Sequence, residues 1–80
     1  MRNEINYIDL FSGAGGMSLG LDQAGFNNIF SVDIEPSFCE TYKTNFPKHN
    51  LIQKDISKLS NEEIKALIGN QIIDVIVGGP

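Results

Sequence analysis

The stretch YIDLFSGAGGMSLGL, residues 7–21, opens as an apolar strand-like run and then places glycines at positions 13, 15, 16 and 20. Strand, glycine-rich loop and helix in that order bring bare backbone N–H groups and a helix N-terminus to one point, where a ligand can approach closely. The strand is read over residues 5–11. From Gly16 to about Ala24 the spacing is helical, with Met17, Leu21 and Ala24 at i, i+4 and i+7 as the predicted inner face and Gly25 as the stop.

Outward from this unit the alternation repeats. Residues 28–34, NIFSVDI, read as a second strand. Glu35 and Pro36 open a second helix, since proline suits the first helical turn and an acid suits the positive end of the dipole. Phe38, Tyr42 and Phe46 form its apolar stripe, predicted to pack on the sheet, and Pro47 ends it. Residues 51–55, LIQKD, give a short third strand. Ser60 with Glu63 is a capping-box signature for a third helix, NEEIKALIG, whose charged residues form a solvated face. Residues 72–77, IIDVIV, read as a fourth strand.

A β-α-β-α-β-α-β order predicts an α/β fold: a doubly wound parallel sheet with helices on both faces, because parallel neighbours need right-handed crossovers. The predicted strand order is 3-2-1-4. Gln53 and Lys54 suit the third strand to an edge, whereas the fourth is apolar enough for a strand buried on both faces. Placing that apolar strand at the other edge leaves it open to association, so a fifth strand is expected from elsewhere in the protein or from a partner.

The chain has 80 residues, of which 41% are hydrophobic and 20% charged, so it is a folded segment with room for one domain and no second. An α/β core that buries only roughly 60% of its unfolded surface is marginal alone, which makes the predicted sheet an incomplete part of a larger domain. A net charge of −4, a pI near 4.6 and the lack of any Lys/Arg run exclude a grip on nucleic acid by bulk positive charge. The single cysteine, Cys39, lies inside the second helix with no metal-ligand spacing around it, which points to packing, to no metal, and to a reducing compartment. His49 has no partner in the sequence pattern and reads as a solvated surface residue. No signal peptide is expected, and no apolar run approaches the ~20 residues of a membrane span, so the expected location is cytoplasmic with no membrane contact.

In a doubly wound sheet ligands bind outside the carboxyl ends of the strands where the order reverses. Asp33, 20 positions after Gly13, stands where an acid accepts from ribose hydroxyls. An adenosine-like ligand follows, with Asp55 placed to accept from an adenine amino group and Ile56 to pack on the ring. Two readings stand for Asp55, because DIS is also a turn with local hydrogen bonds, and Asp33 has the same capping alternative. Phe11 is either core or ligand-facing. The dinucleotide fingerprint is incomplete, since Ser18 stands where the third glycine belongs, which counts against an NAD-binding fragment.

DLFSGAGGMSLGL is similar to the first motif of the cytosine-C5 DNA methyltransferases, and DVIVGGP resembles the run leading into that family's catalytic Pro-Cys motif. The resemblance covers essentially the whole chain. It implies a Rossmann-like S-adenosylmethionine-dependent methyltransferase fold, with S-adenosylmethionine as cofactor and S-adenosylhomocysteine as product. It implies that Phe11 packs on the adenine and that Ser12, Gly13, Ala14, Gly15, Gly16 and Met17 surround the methionine part. Asp33 would hold the ribose, Ile34 and Ile56 flank the adenine, Asp55 accept from its amino group, and Pro80 border the pocket. In this family a cysteine thiolate attacks C6 of a cytosine flipped out of duplex DNA, so that C5 takes the methyl group. The sequence ends at Pro80, where that cysteine would follow. No catalytic residue is therefore assigned, the fragment alone is expected to be inactive, and DNA is expected to be held by the remainder of the protein, within a restriction-modification system. The alternative is a cofactor-binding module: one subunit, or a remnant, of a split methyltransferase.

Overall fold

The computed structural model describes residues 4–78, so the expectation for Pro80 lies outside the described residues. The elements are β1 (Asn6–Leu10), α1 (Gly16–Gln23), β2 (Asn27–Asp33), α2 (Pro36–Asn45), β3 (Leu51–Gln53), a 3₁₀ turn (Ile56–Lys58), α3 (Asn61–Ile68) and β4 (Val75–Gly78). They form one parallel sheet in the order β3-β2-β1-β4. Fold class and strand order are those the sequence predicts.

The two faces of the sheet differ in chemistry. Ile8, Phe30 and Val32 point to one face and join Leu59, Ile64, Leu67 and Ile68 in the apolar core beneath α3. Their neighbours Asp9 and Ser31 point to the other face, as strand alternation requires, and meet Ser18 of α1 and Tyr42 of α2 through hydrogen bonds. Between β1 and β2 the register shifts by one residue after Tyr7, so that Ile8 pairs with Phe30 and Asp9 with Ser31. Without the extra residue Asp9 would face Phe30, because a slip of one position exchanges the two faces.

Three features predicted from the sequence are corrected here. The inner face of α1 is not Met17, Leu21 and Ala24: Met17 and Ala24 are exposed, Leu21 is half-buried, and the buried residue is Ser18, because the sheet below it presents the Asp9 carboxylate. In α2 the inward residues are Cys39 and Tyr42, followed by Phe46 at the C-cap, while Phe38 is exposed. β4 is shorter than residues 72–77, with Ile72 outside the strand and exposed, whereas Ile76 at 63% exposure fits the open edge the sequence predicts. Among the described residues β4 pairs only with β1, so one of its edges is unpaired.

Boundaries follow local chemistry. β1 stops at Leu10 because Phe11 turns to φ 56°, outside the strand region. After α1, Gly25 at φ 88° donates to the Asp22 carbonyl and Phe26 N–H to the Leu21 carbonyl, the paired bonds of a left-handed helix stop. α3 begins at the predicted capping box, Ser60 Oγ accepting from Glu63 N–H and Glu63 reaching back to Ser60 N–H.

Two glycines separate backbone from packing effects, since a methyl added at either meets nothing within 4 Å. Gly25→Ala should destabilise the chain by about 1–2 kcal/mol through the left-handed backbone alone. Gly20→Ala, inside α1, should stabilise it by roughly 0.5–1 kcal/mol. Urea unfolding of the two variants checks both signs.

Candidate functional site

At the carboxyl ends of β1, β2 and β3, Phe11, Val32, Asp33, Ile34, Lys54, Asp55 and Ile56 line one crevice of about 40 Å³. Five residues predicted for a ligand site, Phe11, Asp33, Ile34, Asp55 and Ile56, thus stand side by side although they lie in three separate parts of the chain. Phe11 and Ile34 are 53% and 61% exposed, so neither is core. The bulky Phe11 holds a left-handed backbone that disfavours side chains, and such strain is characteristic of binding sites. Ser12 N–H donates to the Val32 carbonyl at 2.9 Å and pins the turn to β2.

Asp33 ties the crevice to the glycine loop. One carboxylate oxygen accepts from Gly13 N–H at 2.8 Å and the other from Glu35 N–H at 2.9 Å. Asp55 lies beyond β3 and not at its end, as the N-cap of the 3₁₀ turn, with Oδ1 accepting from both the Ser57 N–H and its hydroxyl. The backbone donor holds the Asp55 carboxyl below the usual range, and its Oδ2 accepts no hydrogen bond among the described residues.

The glycine loop faces two ways. Ser12 is buried, and its Oγ has no hydrogen-bond partner among the described residues. Ala14, Gly15 and Gly16 line a second, open cleft of about 540 Å³ with Leu19, Asn45 and Phe46, on the α2 side of the loop. Gly15 at φ 106° packs against the Phe46 ring so closely that a Cβ would collide with it. Met17 is exposed and lines neither cleft. Of the residues predicted for one ligand, five line the crevice and three the second cleft, while Ser12, Gly13 and Met17 line neither.

Behind the loop lies a cluster that the sequence reading passed over. Ser18 Oγ donates to Asp9 Oδ2 at 2.6 Å and contacts the Tyr42 hydroxyl, which also meets Ser31 Oγ and His49 Nδ1. His49 Nε2 meets Asp22 Oδ2, and Tyr7 donates to Asp22 Oδ1. His49 is thus not a solvated residue without a partner: its side chain is 12% exposed and hydrogen-bonded at both ring nitrogens. Burial pushes the Asp9 carboxyl and the Tyr7 and Tyr42 phenols up. The signal was present in YIDLF, where an aspartate interrupts an apolar strand and requires a buried partner. Cys39 is buried, as expected of a packing residue, and burial raises its thiol. Among the described residues no group of His, Cys, Asp and Glu is placed to hold a metal ion, and no helix is long and apolar enough to cross a membrane.

Comparison with known proteins agrees with this geometry. The chain is 51% identical over 76 residues to the type II methyltransferase M1.HphI of Haemophilus parahaemolyticus, covering 95% of this chain and 20% of that protein. It is 45% identical over 74 residues to M.XorII of Xanthomonas oryzae pv. oryzae, covering 90% of this chain and 18% of that one. The chain thus spans about a fifth of the length of these curated relatives. A crystal structure described as a DNA modification methyltransferase encoded within an E. coli prophage superposes with a TM-score of 0.85 at 45% identity, over 96% of this chain and 22% of that one. Spodoptera frugiperda DNMT2 gives a TM-score of 0.76 at 30% identity, over 94% and 22%. Since the family model for C-5 cytosine-specific DNA methylases matches residues 5–80, glycine loop and crevice included, the chain belongs to that family.

Proposed function

We propose that this chain forms the S-adenosylmethionine-binding part of a DNA (cytosine-5-)-methyltransferase that methylates C5 of cytosine in duplex DNA as part of a restriction-modification system. The observation that carries the reading is the convergence of Phe11, Asp33, Ile34, Asp55 and Ile56 on one crevice. A volume of about 40 Å³ is little more than that of one water, so an adenine ring would lie over the crevice and not inside it. Exposed Phe11 and Ile34 offer apolar surface for such a ring. The open Oδ2 of Asp55 suits an amino group, and the buried, unpartnered Ser12 Oγ suits a polar group of the ligand beside the glycine loop.

Asp33 would accept from ribose hydroxyls while its bond to Gly13 N–H keeps the loop at the distance the ligand needs. S-adenosylmethionine supplies a methyl group activated by its positive sulfonium. The described residues bind and orient; their sole thiol, Cys39, is buried and its pKa raised, so the nucleophile is supplied from elsewhere in the protein. DNA is likewise held elsewhere, in keeping with the net charge of −4 on this part. Ser18 weighs against a dinucleotide site: its hydroxyl is committed to Asp9 at the position where the dinucleotide fingerprint has a glycine.

Titration calorimetry with S-adenosylhomocysteine tests this assignment. Asp33→Ala should weaken binding by about 1.5–3 kcal/mol, the worth of hydrogen bonds to a charged group, and unchanged affinity would reduce Asp33 to a turn cap. Phe11→Gly should bind about tenfold more weakly through loss of ring stacking. Its melting temperature should hold or rise, because glycine suits the left-handed backbone at that position. Normal binding by Phe11→Gly would place the adenine elsewhere.

A further inference from the structure

The glycine loop is held from behind by a chain of five short contacts that begins at a buried carboxylate and ends at a half-exposed one. They are Asp9–Ser18 at 2.6 Å, Ser18–Tyr42 at 2.8 Å, Ser31–Tyr42 at 2.7 Å, Tyr42–His49 Nδ1 at 2.7 Å and His49 Nε2–Asp22 at 2.7 Å. Each needs one hydrogen between its two heavy atoms. With both carboxylates ionised, Ser18, Ser31 and Tyr42 each bring one hydroxyl hydrogen and neutral His49 brings one ring hydrogen, so four hydrogens serve five contacts. Asn28 Nδ2 donates to Ser31 Oγ with its own hydrogen and leaves the deficit unchanged.

One added proton completes the chain at either end. On Asp9, it lets Asp9 donate to Ser18, Ser18 and Ser31 to Tyr42, and Tyr42 to His49. On the His49–Asp22 pair, it lets His49 donate to Tyr42, Tyr42 to Ser18, and Ser18 to Asp9. Without it, one of the five contacts has no hydrogen between its two heavy atoms, which then repel.

We propose that Tyr42 and His49 are positioning residues for the glycine loop, acting through this hydrogen-bond chain and the single proton it shares. Ser18 sits in the first turn of α1, three positions after the N-cap Gly15, and Gly15 itself packs on Tyr42 and Phe46. A loss of the Ser18–Tyr42 bond therefore releases the backbone that carries the loop. Solvent reaches the far end through a cleft lined by Asp22, Phe46, Lys48 and His49.

The charged and titratable groups around the chain come from every neighbouring element. Asp9 faces Asp33 of β2 and His49. His49 faces Asp22 of α1 and Tyr42 of α2, with Lys48 beside it, and Tyr7 of β1 closes on Asp22. Burial raises the Asp9 carboxyl, so the folded chain keeps a proton that the unfolded chain has released. Stability then falls as pH rises, until that proton is lost from the folded state as well.

Only the regulatory part of this inference rests on the cofactor reading, and the test separates the two. Amide exchange protection of α1 is measured without ligand from about pH 5 to about pH 9, and S-adenosylhomocysteine affinity by calorimetry over the same range. In the native chain α1 protection should fall about fivefold or more through one titration, with affinity falling alongside. Ser31→Ala removes one contact and one hydrogen together, so the deficit persists and the titration should remain. Tyr42→Phe leaves only Asp9–Ser18 and His49–Asp22, each with its own hydrogen, so of the native fall in protection only the part owed to the burial of Asp9 should remain. Flat protection in the native chain, or a fall of full native size kept by Tyr42→Phe, overturns the proposal. Failure to bind S-adenosylhomocysteine at any pH, with the protection titration intact, overturns the cofactor reading and leaves the positioning role standing.

Discussion

The hydrogen bond from Ser18 to Asp9 is the constraint on which the rest of this structure depends. A carboxylate in the middle of a central parallel strand is costly to bury unless something donates to it, and the donor here comes from the first turn of the helix that follows the glycine loop. That single bond fixes where α1 starts, and through the N-cap Gly15 it fixes the loop. The loop in turn meets Asp33 through Gly13 N–H, so the crevice residues of β1 and β2 are held relative to one another by polar contacts as well as by apolar packing.

The sheet divides labour between its faces. Beneath α3, Ile8, Phe30, Val32 and Leu59 with Ile64 and Leu67 give non-directional apolar burial. Beneath α1 and α2, directional hydrogen bonds among Asp9, Ser18, Ser31, Tyr42 and His49 specify one arrangement of helices, loop and strands.

Much of this was legible in the sequence. Glycine placement, Pro36, the Ser60–Glu63 box and the alternation of apolar runs gave the elements and their order, because each is a local signal with a local cause. The spacing from Gly13 to Asp33 likewise placed the two residues that the structure joins at 2.8 Å. The inner faces of α1 and α2 were not legible, because they are set by what the sheet presents. The extra residue in β2, Ile29, puts Ser31, and not Phe30, opposite Asp9, and no local pattern announces it. His49 was misread for the same reason: its partners Asp22 and Tyr42 lie 27 and 7 positions away and meet it only in the folded chain. The apolar fourth strand at an open edge was legible as well, and Ile76 is exposed there.

Two clefts flank the glycine loop, and the account assigns the ligand to the one bounded by Asp33 and Asp55. Amide chemical shifts recorded during titration with S-adenosylhomocysteine test that assignment most directly. The account predicts that the largest changes fall on Phe11, Ser12, Gly13, Asp33, Ile34, Asp55 and Ile56, with Leu19, Asn45 and Phe46 little affected. Changes centred on Leu19, Asn45 and Phe46, or none at all, would contradict it.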